Sequence, residues 1–167
     1  YDLGTFALNL GLVALDRLDR VRLGLSAISE LRDEINQTTA LAVWGDGGPV
    51  VIRWERPRRP ITVNVTTGTA LDLLMSAAGR VFAAWMPKNI IAPILAEELK
   101  HAPLPPALKS KAAVEALLAE IRAQGYAATN GQHKVAGVEA AAAPIFNFKN
   151  EITMAVLVVG VQGMLDI

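Results

Sequence analysis

Residues 65–85 read VTTGTALDLLMSAAGRVFAAW, and this stretch decides the fold. Leu71, Leu74, Met75, Ala78, Phe82 and Trp85 fall at i, i+3, i+4, i+7, i+11 and i+14, which puts apolar side chains on one helical face. That spacing predicts a buried helix. A second signal overlies it: Ser76, a good N-cap residue, is followed by the small residues Ala77, Ala78 and Gly79. A helix starting at Ser76 leaves its first N–H groups without intrahelical partners and turns its positive dipole end outward, which suits a carboxylate. Small residues at a helix start also serve close packing alone. The two signals place the helix start at Ala70 or at Ser76, and the start at Ser76, with Leu71 and Leu74 as an apolar lip, is the reading that leaves amides for a ligand.

Outward from this stretch, Leu3, Phe6, Ala7, Leu10, Val13 and Ala14 define an opening amphipathic helix, and a charged patch runs from Asp16 to Arg22. Val21, Leu25, Ile28, Leu31 and Ile35 define a longer helix ending near Asn36. TTALAVW and PVVIRWE flank Gly45-Asp46-Gly47-Gly48, a hairpin signature, because glycine accepts the positive φ that tight hairpin turns require. Ile61 to Val65 alternates as a further strand. Pro87 opens a helix through Ile90, Ile91, Ile94, Leu95, Glu98 and Leu99, and Ser110 caps another that Gly125 ends. Tyr126 to Thr129, Val135 to Phe146 and Glu151 to Val161 read as strands, the last two joined through a turn at Asn147 to Asn150. Strands in adjacent hairpins with helices grouped between them predict an α+β fold, a mainly antiparallel six-stranded sheet flanked by helices.

Composition narrows the function classes. The 167 residues suit a single domain, and a formal net charge of zero gives no attraction to nucleic acid or an anionic surface. Without cysteine there is no thiolate chemistry and no sulfur-ligated zinc. The longest apolar run, Met154 to Val161, is too short to span a membrane, so a soluble, cytoplasmic protein is expected. A hydrophobic content of 52% with 19% charged residues is high for a soluble domain and predicts an oligomer, a dimer or tetramer. Arg56, Arg58 and Arg59 read as a solvated loop. His101 and His133 read as loop residues facing solvent, and Glu97 and Glu98 point to different sides of their helix. Neither a metal cluster nor a nucleophile with its base is readable, so no cofactor and no enzymatic activity are expected.

The chain resembles the effector-binding domain of the IclR family of bacterial transcription regulators. The resemblance rests on Tyr1-Asp2-Leu3-Gly4, Leu41-Ala42-Val43, Gly68-Thr69-Ala70-Leu71, Ser76 to Arg80, Ile121-Arg122, Gly125-Tyr126-Ala127, Gly137 and Ala142 to Phe146, in that order over nearly the whole chain. It implies a GAF-like sensor domain over residues 1–167 that reaches DNA only through a helix-turn-helix domain outside this sequence, and a C-terminal helix cut short. It also implies a pocket for a small organic acid, with the amides of Ala77 and Ala78 beside Ser76 and Gly79. Val63 and Leu71 would form the apolar wall, and Asn130, Val138, Ala140, Leu157 and Val159 the remaining lining. Asn130 either orients the ligand or caps the turn before Gly131. Several lining positions that are often polar in the family are apolar here, and Asp72 and Leu74 replace a common Pro and His. The expected effector is therefore an acid with a sizeable apolar or aromatic body and one carboxylate. Its binding would act through subunit rearrangement. A ligand-free oligomerisation module and an enzyme acting on such an acid are the competing readings.

Overall fold

The computed structural model describes residues 5–57, 67–130, 137–163 and 165. A single helix, α1 (Thr5–Ile35), opens the chain in place of the two expected. The charged run Asp16 to Arg22 does not break the backbone: it contains no proline or glycine, and its residues tolerate helical geometry. Asn36 ends the helix in the left-handed conformation, at φ 51°, with its N–H bonded to the Arg32 carbonyl.

The hairpin follows as β1 (Thr38–Gly45) and β2 (Gly48–Glu55), joined across Asp46-Gly47. A bulge between Leu41 and Ala42 pairs Leu41 with Arg53 but Ala42 with Val51. The irregularity lets Val51 and Trp54, three residues apart, join one core while Ile52 packs into the other. Helix α2 (Ala77–Trp85) carries the central stretch, followed by α3 (Lys88–His101), a 3-10 turn at Pro106–Leu108 and α4 (Lys111–Gln124). Ser110 Oγ accepts the Ala113 N–H at the start of α4, and Gly125 stops it at φ 87°. Strands β3 (Ala127–Asn130), β4 (Val138–Phe146) and β5 (Ile152–Val161) complete the sheet, with Asn147 and Asn150 in the expected turn between the last two. His101 is the last residue of α3, not a loop residue.

The described strands form a five-stranded antiparallel sheet in the order β2-β1-β5-β4-β3. The sixth expected strand, residues 61–65, lies outside the described residues. One sheet face packs on α1 through Ile28, Leu41 and Met154, and Thr39 Oγ1 donates to the Ile28 carbonyl at 2.7 Å. The other face is lined by small residues, Ala40, Ala42, Ala142 and Ala155 among them, and receives α2. Alanines let the helix lie close. Phe82 is fully buried against Trp44, with ring centroids 5.7 Å apart, and Trp85 meets Phe146 edge-on at 5.8 Å. The larger core therefore lies between α2 and the sheet.

Candidate functional site

The approach to α2 is built from backbone. Gly68, at φ 88°, donates its N–H to the Val51 carbonyl, Val51 donates to Thr69, and Leu71 donates to Pro49, so residues 68–71 run along β2. Ala70 forms a β-bridge with Val50 and is not a helix start. The chain then turns inward through Leu73 and Leu74, both fully buried. Their N–H groups donate to the two carboxylate oxygens of Glu98 on α3, at 2.5 and 2.9 Å.

Helix α2 begins after Ser76, whose extended backbone (φ −121°, ψ 148°) marks it as the N-cap. Its hydroxyl donates to the Asp72 carbonyl at 2.7 Å and accepts the Gly79 N–H at 2.9 Å. The Arg80 N–H bonds to the Ser76 carbonyl. The N–H groups of Ala77 and Ala78 have no backbone acceptor among the described residues, although both residues are buried. A helix start at Ser76 therefore leaves two donors in a nearly dry setting.

Two residues hold this loop in place. A Cβ added to Gly79 would lie 2.0 Å from the Asp72 carbonyl oxygen and 2.6 Å from the Leu73 Cα, so only glycine lets the loop cross the first turn. Arg80, buried against the sheet edge, donates Nε–H to the Leu74 carbonyl and Nη1–H to the Ala128 carbonyl, each at 2.8 Å. Burial lowers the pKa of its guanidinium from the ordinary value, because the interior solvates the charge poorly.

The strand register places the other expected lining residues. Val159 pairs with both Thr38 and Ala140, and Ala140 pairs with Thr129. In the adjacent row Leu157 pairs with Ala40 and Ala142, and Ala40 with Trp54. Directly paired residues share a face, so Val138, Ala140, Leu157 and Val159 lie on the face that receives α2. Leu71 is half-buried against the same core. Asn130 is out of phase with this set, because it pairs with Glu139 rather than Ala140. It lines a separate cavity of about 490 Å³ together with Arg80, Glu120, Tyr126 and Glu139. Val63 lies outside the described residues, as does His133.

Several participants are absent from the sequence reading. Glu98 sits among Ile94, Leu95 and Leu99 on the apolar side of its helix, and a carboxylate there is itself a signal that a partner is required. Glu97, as expected, faces away, in an exposed ion pair with Lys100 and 3.5 Å from the His101 imidazole. Arg80 closes the small-residue block and carries no sequence mark of its partners. Thr38 and Trp54 stand on the α2-facing side of the sheet. Their Oγ1 and Nε1 atoms are buried without a hydrogen-bond partner among the described residues. Among the described residues, no group of three or more His, Cys, Asp or Glu side chains is placed to hold a metal, and no helix is long and apolar enough to cross a membrane.

The site thus lies on an antiparallel sheet with a long helix on one face and the short helix α2 on the other. The family model described as "Bacterial transcriptional regulator IclR C-terminal" matches residues 13–166, and the chain belongs to that family. The chain is 38% identical to Pseudomonas aeruginosa HmgR, whose crystal structure superposes with a TM-score of 0.79 over 99% of this chain and 65% of that one. The IclR of Thermotoga maritima shares the fold at a TM-score of 0.75, with 22% identity over 95% of this chain and 64% of the other. RhmR of Escherichia coli (strain K12), described as an uncharacterized HTH-type transcriptional regulator, is 29% identical over 149 residues, or 89% of this chain. Those residues span 57% of RhmR, so the chain corresponds to little more than half of that relative.

Proposed function

We propose that this regulatory domain binds a small organic acid with a largely apolar or aromatic body, seating its carboxylate on the Ala77 and Ala78 N–H groups. The observation that carries this reading is the start of α2 at Ser76, which leaves those two buried amides without backbone acceptors among the described residues. The positive end of the helix dipole adds to their attraction for an anion. Below them, the sheet face of Ala140, Leu157 and Val159 offers hydrocarbon, which accommodates the body of the acid rather than a second charge.

Binding at this point acts on the packing of α2 against the sheet, and Glu98 and Arg80 carry any shift of the loop to α3 and to β3. An effector that favours one packing shifts the population of subunit arrangements, and with it the placement of a DNA-binding domain joined to this one. Leu23 on α1, Phe146 at the end of β4 and Phe148 just after it are exposed and line one groove, which suits contact with a second copy of the chain. Thermal denaturation with a panel of aromatic and aliphatic carboxylates, each beside its neutral amide, tests the reading. At a hundredfold excess over the dissociation constant, a true effector stabilises by ~2.7 kcal/mol, and the amide does not. If no acid stabilises the domain at millimolar concentration, the carboxylate site is refuted.

A further inference from the structure

We propose that Thr38 and Trp54 form a second recognition point in the effector pocket, and that the effector carries an oxygen substituent, a hydroxyl or oxo group, on its body away from the carboxylate. The inference rests on the effector reading above and deepens it. Thr38 is 3% exposed, and among the described residues neither its hydroxyl oxygen nor the Trp54 indole nitrogen has a hydrogen-bond partner, although both atoms are buried. Buried polar atoms are otherwise paired in folded proteins, because each one left unmade costs the protein its desolvation energy.

Both orphans belong to the face that receives α2. Thr38 continues the row of Val159 and Ala140, and Trp54 continues the row of Ala40 and Leu157. Its neighbour Thr39, which points the other way, is satisfied by the Ile28 carbonyl. Thr38 lies two residues before Ala40, the direct partner of Trp54, so the two residues are diagonal neighbours on adjacent strands, within reach of a large aromatic side chain. One group can serve both.

The chemistry of the pair selects that group. An indole N–H donates only, so it requires an acceptor, and a threonine hydroxyl can donate or accept. An ammonium or another donor-only group leaves Trp54 unserved. A second carboxylate would bring a second charge against Ala40, Leu157, Val159 and Ala140, the paired residues of these two rows, none of which carries a compensating one. A hydroxyl or oxo oxygen accepts from Trp54 and completes a bond with Thr38.

The test uses benzoate, phenylacetate and hexanoate, each with its monohydroxylated counterparts, titrated calorimetrically into the wild-type chain, Thr38→Val, Thr38→Ser and Trp54→Phe, with circular dichroism confirming the fold of each variant. At least one hydroxylated acid is expected to bind wild type about ten-fold more tightly than its parent, equivalent to ~1.4 kcal/mol. Thr38→Val and Trp54→Phe are expected to erase that preference while keeping the affinity for the parent acid, and Thr38→Ser is expected to retain it. Binding that ignores hydroxylation in wild type and in all three variants overturns this proposal and leaves the carboxylate site standing. Failure of every acid to bind removes the effector reading and this proposal together.

Discussion

Replacing Gly79 by alanine sets two effects of opposite sign against each other. Intrinsic helix propensity favours alanine over glycine by ~1 kcal/mol inside a helix, and Gly79 lies in the first turn of α2. Against that, the new Cβ would lie 2.0 Å from the Asp72 oxygen and 2.7 Å from the Leu73 oxygen. A carbon and a carbonyl oxygen rest at ~3.3 Å or more, so the loop must retreat by over about 1 Å. Such a shift strains the Ser76 hydroxyl bond to Asp72 and the Leu73 bond to Glu98. Losing a neutral bond worth ~1 kcal/mol and a charge-assisted one worth ~1.5–3 kcal/mol outweighs the propensity gain, for a net loss of roughly 1.5–3 kcal/mol. For a domain of this size that lowers the melting temperature by ~3–12 °C. Urea denaturation at equilibrium, with the thermal midpoint beside it, measures the effect. A neutral or stabilised Gly79→Ala would show that the loop does not cross the first turn of α2 and does not hold the Ala77 and Ala78 amides open.

Glu98→Gln keeps one acceptor oxygen but turns an NH2 group toward a backbone N–H, and it should destabilise by ~1–3 kcal/mol in the same urea assay. Arg80→Met strips the Leu74 and Ala128 carbonyls of their donor, at a cost of about 2 kcal/mol. Since those bonds run to carbonyls and not to carboxylates, the loss should be nearly the same at low and high salt, which paired melts would show. Thr39→Val removes the buried hydroxyl bond from β1 to α1 and should cost about 1 kcal/mol, read as a lower urea midpoint with an unchanged slope.

Much of the fold was legible because local chemistry and tertiary context agree. Asp46-Gly47 between two β-rich runs, Ser110 and Gly125 around α4, and Ser76 at α2 all mark boundaries that the structure keeps. At the opening of the chain a change in polarity is not a change in backbone, and α1 runs straight through it. At the site, the N-cap was visible in sequence because capping is a local interaction. The long-range bonds were not: Glu98 reaches Leu73 across 25 residues and Arg80 reaches Ala128 across 48, and no spacing rule connects such pairs. Thr38 and Trp54 were hidden for a related reason. An unsatisfied polar atom is defined by everything that surrounds it, and a strand sequence shows only alternation.

Whether the Ala77 and Ala78 N–H groups receive a carboxylate is tested most directly by amide-resolved nuclear magnetic resonance, following the chain as the acid that best stabilises it is titrated in. The Ala77 and Ala78 signals are expected to shift farthest with the acid and to stay in place with its neutral amide. Saturable binding that moves signals elsewhere and leaves these two unmoved would contradict that expectation.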